Sequence, residues 1–247
     1  MRFDFQAFLP AAYDGNAFTP EALTALEDEA DVDRFVVMPA PAERPDNAGL
    51  AGRIRGLARA IGCVSVNPKL GTEAVSALER SVGEFGFQGV KLSPMAHGYS
   101  VDDGIVNPVV ERARALGLPV TVDGDGERCT PAQVAGLAAR FPEVMVIADM
   151  GFRPHVTPGG TGAILDAARQ CPNLFLGFTA LTASEPHHLQ TVVAALGPER
   201  VVFGSHAPSG IPLFAVEGIR RAGLGKRAEA LIFGENLAKI YGLSVEI

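Results

Sequence analysis

The chain has 247 residues, 47% of them hydrophobic and 20% charged, with a formal net charge of −7. That length and balance suit one globular domain over residues 1–247 with a sizeable core. The acidic excess comes without a Lys/Arg-rich run, which argues against nucleic acid or an anionic membrane surface as partner. No apolar stretch approaches the roughly 20 residues of a membrane span.

The opening segment, MRFDFQAFLPAAYDG, lacks the long apolar centre of a signal peptide. Its first run, MRFDFQAF, reads as a strand. TPEALTALEDEA follows with helical periodicity, with Thr19 placed to cap it and Pro20 at its first turn. The same alternation then repeats. The runs RFVVMP, GCVSVNP, GVKLSP, LPVTVDGDG, VMVIADMG, LFLGFT and VVFGSH are separated by amphipathic segments such as GLAGRIRGLARAI and TEAVSALERSVGEF. Successive runs start roughly 30 residues apart, the length of one strand–helix–loop unit. PGGTG, at 158–162, reads as a loop, and RAEALIFGENLAKIYGL closes the chain as a helix. Eight such units without a break in composition predict an α/β chain folded as a single-domain (β/α)8 TIM barrel. The competing fold, an open doubly wound sheet, would carry a glycine-rich nucleotide turn after its first strand, and FLPAAYDGN has none. Cys63, Cys129 and Cys171 are odd in number and far apart. They imply a reduced chain, expected in the cytoplasm, with neither a disulfide framework nor a zinc ribbon.

Barrel enzymes carry their chemistry at the C-terminal strand ends. Polar residues collect there: Asp4 and Gln6 on the first strand, Asn67 on the third, Lys91 and Ser93 on the fourth, Asp123 on the fifth, Asp149 on the sixth and His206 on the eighth. Side chains alternate with period two along a strand. Asp4, Gln6 and Phe8 are therefore expected on one face, and His206 in phase with Gly204 and Val202. Taken singly, each polar residue is as easily a turn, a cap or an ion-pair partner. Together they predict a site at the mouth. His97 and Arg128 lie in the loops after strands four and five, and Arg153 and His155 in the loop after strand six, where all four could overhang that mouth. A guanidinium there could grip a carboxylate in bidentate fashion. His187 and His188 open a helix and read as solvated surface.

These strand-end motifs resemble the amidohydrolase superfamily, and within it the amidohydrolase-related branch of carboxylic-acid decarboxylases and 2-pyrone-4,6-dicarboxylate lactonases. The resemblance runs through CVSVNP, GFQGVKLSP, VDDGIVNPVVERARALGLPV, FPEVMVIADMGF, VVFGSHAP and IFGENLAKIYGL, and so covers nearly the whole chain. The departures bear on chemistry. That family opens with Asp-x-His-x-His, two histidines that bind metal; here the stretch is Asp4-Phe5-Gln6-Ala7-Phe8. Its histidines at the ends of strands five and six are Asp123 and Asp149 here, and its Gly-Ser-Asp on strand eight is Gly204-Ser205-His206.

The resemblance implies a lactonase-type hydrolase or an isomerase acting on a small carboxylated ring compound without metal. His206 and Asp149 would be the acid–base pair, with Asp123 beside them and Lys91 polarising a carbonyl or holding an anion. Gln6, Asp4, Arg153, Arg128, His97, His155 and Ser205 would line the substrate. Two alternatives stay open. One is a non-catalytic binding or scaffold barrel. The other is a hydrolase or decarboxylase holding a single Zn, Mn or Mg ion on Asp123, Asp149 and His206. Barrels of this kind also raise the expectation of homo-oligomers.

Overall fold

The computed structural model describes residues 1–124, 126–149, 159–179 and 186–244. Eight parallel strands form one sheet in chain order: β1 Phe3–Phe8, β2 Arg34–Met38, β3 Ala60–Val66, β4 Gly89–Leu92, β5 Val120–Val122, β6 Val146–Ala148, β7 Leu174–Phe178 and β8 Val201–Phe203. The ring closes just beyond β8. Ala7 bridges Ala207, the Phe8 amide donates to Ala207 O at 2.7 Å, and the His206 amide donates to Gln6 O at 2.8 Å. This is the expected (β/α)8 barrel, nearly closed, with helices between the strands.

Helix α1, Pro20–Glu29, starts as its sequence predicts. The Thr19 side chain accepts from the Ala22 amide at 3.2 Å, and Pro20 occupies the first turn. Two local features differ from the expectations. PGGTG is not all loop, because the helix Gly160–Gln170 begins inside it. Ahead of α1, Ala12–Tyr13 pairs with Asn16–Ala17 in a small antiparallel hairpin. Its turn is Asp14-Gly15, both at positive φ (49° and 75°), which is the Asp-Gly signature of a type I′ turn.

The strands sort their side chains between two cores. Val64, Val66, Val90, Leu92, Val120, Val122, Leu176 and Phe203 face the helices. Phe3, Phe5, Phe8, Val36, Met38, Ile61, Cys63, Ile147 and Val202 pack together inside the barrel. The expected closing helix runs through Lys226–Ala230, a π-turn at Leu231–Glu235 and Asn236–Ile240. It is fastened by Asn236, whose Nδ2 donates to Pro198 O and Val201 O, both at 2.8 Å. Its Leu237 and Ala238 join the interior cluster, with Tyr241 packed against it. Phe5 fills the centre of the barrel. A Cβ on Gly177 or Gly204 would come within 2.3 or 2.5 Å of its ring, so glycine is required at both neighbours.

Candidate active site

The register of β1 slips between Asp4 and Ala7, a bulge that breaks the expected alternation. Phe5 stays inside, and Gln6 turns inward as well. Asp4 instead faces the helix layer, where it meets Glu27 of α1. Asp4 Oδ1 accepts from the amides of Gln6 (2.7 Å) and Ser205 (3.0 Å), which ties β1 to the end of β8. Burial pushes the Asp4 carboxyl up to about 6, against the hydrogen bonds that favour its ionised form. Burial, together with the facing charge of Asp4, also holds Glu27 well above its usual range.

Above Phe5 the interior turns polar. By strand alternation Lys91 of β4 points inward, and its side chain is only 1% exposed. Its ammonium forms an ion pair with Asp123 Oδ1, donates to Gln6 Oε1 at 3.0 Å, and lies 5.8 Å from the Phe8 ring centre. Ser93 Oγ donates to the other Asp123 oxygen at 2.7 Å. Gln6 Nε2 donates to Asp149 Oδ2 at 3.0 Å. One connected network thus runs from Ser93 through Asp123, Lys91 and Gln6 to Asp149.

His206 completes the layer. Its backbone has φ 62°, the left-handed region that a non-glycine residue enters at a cost on the order of 1 kcal/mol. The hydrogen bond that its amide donates to Gln6 O holds it there, with the ring 4.9 Å from that of Phe8. Asp123, Asp149 and His206 each offer a donor atom, all within 4.8 Å of one another. A cleft of about 200 Å³ opens onto Asp123 and His206 between Phe8, Tyr13, Pro41 and Pro208.

The structure therefore gathers His206, Asp123, Asp149, Lys91 and Gln6. It places several other expected residues elsewhere. Asp4 is spent on the seam. Ser205 is fully buried, and its Oγ accepts from the Ala207 amide at 2.9 Å. His97 is buried, with Nε2 2.8 Å from Ala42 O and its ring stacked on Tyr99, and burial holds its imidazole below the usual range. Lys91 is inside, but it faces Asp123 and Gln6, so direct contact with an anionic substrate gives way to a place in the network. Arg128 is exposed beyond β5. Arg153 and His155 lie outside the described residues. His188, read as solvated, is buried. Ser93, expected at the mouth but given no role there, proves to be the hydroxyl partner of Asp123.

The trio lies close enough to suggest one divalent ion, yet its surroundings do not fit one. Asp123 already has Lys91 on one oxygen and Ser93 on the other. An ion sharing a carboxylate oxygen with an ammonium would sit no more than about 5 Å from it. At an effective dielectric near 20, a dication there meets a repulsion of roughly 7 kcal/mol. Phe8, with no donor atom, faces the same space.

The fold and its mouth define a class: a (β/α)8 barrel whose chemistry-bearing groups stand on the C-terminal strand ends. The chain belongs to the Amidohydrolase family, which matches residues 2–243. No match is found among curated proteins. An uncharacterized TIM-barrel protein from Bordetella bronchiseptica has a similar structure, with a TM-score of 0.78, 18% identity and 98% of each chain covered. A probable 2-pyrone-4,6-dicarboxylic acid hydrolase from Acinetobacter baumannii, solved with citric acid bound, gives 0.73 at 14% identity, covering 98% of this chain and 99% of that one. A dihydroxybenzoic acid decarboxylase from a Polaromonas species, solved with bound manganese, gives 0.74 at 14%, covering 98% and 96%. At these identities the likeness carries the fold. Among the described residues no helix is long and apolar enough to cross a membrane.

Proposed function

We propose that this barrel is a metal-independent, lactonase-type hydrolase of a small carboxylated ring compound. The observation that carries the reading is the grouping of the His206 imidazole with Asp149 and Asp123 at the strand ends, where His206 and Asp123 line a cleft of about 200 Å³. In this reading His206 takes a proton from water as the water oxygen bonds to the ring carbonyl carbon. The imidazolium then returns that proton to the ring oxygen as the C–O bond breaks, releasing a hydroxy acid. Asp149, fixed by Gln6, stabilises the imidazolium. Arg128, exposed in the loop after β5, would meet the substrate carboxylate. Support for the substrate class comes from the neighbours, whose own names carry dicarboxylic and hydroxybenzoic acids.

The test is a panel of lactone acids and neutral lactones, followed by proton release. The expected result is turnover of a lactone acid that falls about 100-fold or more in His206→Asn with the fold retained, the usual worth of a positioned acid–base. Wild-type turnover by His206→Asn, or no turnover of any lactone acid, would overturn the reading.

A further inference from the structure

The buried ammonium of Lys91 has a consequence beyond the choice of substrate. It is 1% exposed and paired with Asp123 on one side. On the other it is held by the Gln6 oxygen, and the far end of that same amide fixes Asp149. Among the described residues, the hydrogen bonds of Gln6 and Ser93 suit a single positive charge at Nζ. Gln6 presents its oxygen to Lys91 and its nitrogen to Asp149, and Ser93 gives its proton to Asp123. Without that charge, Asp123 and Asp149 would face each other as two anions in a mostly buried space, which favours uptake of a cation.

We propose that Lys91 is a built-in cation occupying the place of a divalent ion, and that Asp123, Asp149 and His206 form a latent zinc- or manganese-type site that opens when the lysine charge is removed. The donor set, two carboxylate oxygens and an imidazole nitrogen, suits such an ion. The three donor atoms already lie within 4.8 Å of one another. The inference rests on the metal-independent part of the proposed function and not on its substrate, so a failed lactone screen leaves it standing.

The experiment is zinc titration of the chelator-dialysed full chain by calorimetry and thermal shift, for wild type, Lys91→Met and Lys91→Gln. Wild type is expected to take up no stoichiometric zinc and to keep its Tm. The folded variants are expected to bind one zinc at least about 100-fold more tightly, with Tm rising by roughly 5 °C or more at saturation. Adding His206→Ala to Lys91→Met should abolish that gain. One equivalent of zinc bound tightly by wild type, and lost in His206→Ala, would overturn the proposal. So would folded variants that gain no zinc. If neither variant folds, the wild-type titration decides alone.

Discussion

Single atoms set the tolerance of this interior. Gly177 looks unremarkable in LFLGFT, yet a methyl group there would enter the Phe5 ring. Gly177→Ala is expected to cost about 2 kcal/mol, the usual order for overpacking a filled core. Urea unfolding checks it, and the added Phe5→Leu change should recover part of the loss. The residue scale was also where the sequence was read most unevenly. Asp123 and Asp149 were legible from strand phase, and His206 from chain position alone, since its φ of 62° lies past the end of β8. Asp4, Ser205 and His97 were not, because a buried polar residue that serves a backbone amide or carbonyl has the same letter as one that serves a ligand. Only the third dimension shows the partner.

The strand-by-strand pattern was legible as well, since eight apolar runs at even spacing have few other solutions. The β1 bulge was not: nothing in FDFQAF marks where the alternation slips. That bulge turns Asp4 toward α1 and creates the carboxyl pair with Glu27. Among the described residues neither Glu27 oxygen, nor Asp4 Oδ2, meets an ordinary donor, and burial of the two facing carboxyls favours a proton held between them. The pH consequence has a definite sign. Both groups have raised values in the folded protein, so their contribution is complete below the unfolded carboxyl range near 4 and is lost as pH rises. Asp4 loses its share up to about 6, and Glu27 over a range well above its usual one. Glu27→Gln keeps a donor toward Asp4 and removes the titration. Its Tm is expected to vary less than that of wild type between pH 5 and 8, and at pH 8 it should be the more stable by about 1 kcal/mol or more. An unchanged pH profile in the variant would show that the pair shares no proton.

At the scale of the whole molecule, the floor of the barrel is provided by the end of the chain. Leu237 is fully buried among Phe3, Val202 and their neighbours. Leu237→Ala is expected to destabilise the protein by about 3 kcal/mol through lost burial and the cavity left behind. Thermal unfolding measures that loss, and a fall in Tm no larger than that of an exposed Leu→Ala change would show that the helix is a loose appendage. The sequence identified this segment as a helix from its periodicity. That it seals the barrel was not legible, because a plugging face and a surface-packed face carry the same apolar pattern.

The closure between β1 and the end of β8 has a mechanical meaning. Seven of the eight strand pairs are joined by the chain itself through a connecting segment. The eighth, where the Phe8 amide donates to Ala207 O and the His206 amide to Gln6 O, is a clasp with no such tether. The cleft lies against this clasp, with Phe8 from one side and His206 from the other forming its walls. A molecule seated there touches both halves of the fastening at once, so occupancy braces the ring across its one untethered joint, and the grip of the site on its ligand is also the grip of the barrel on itself.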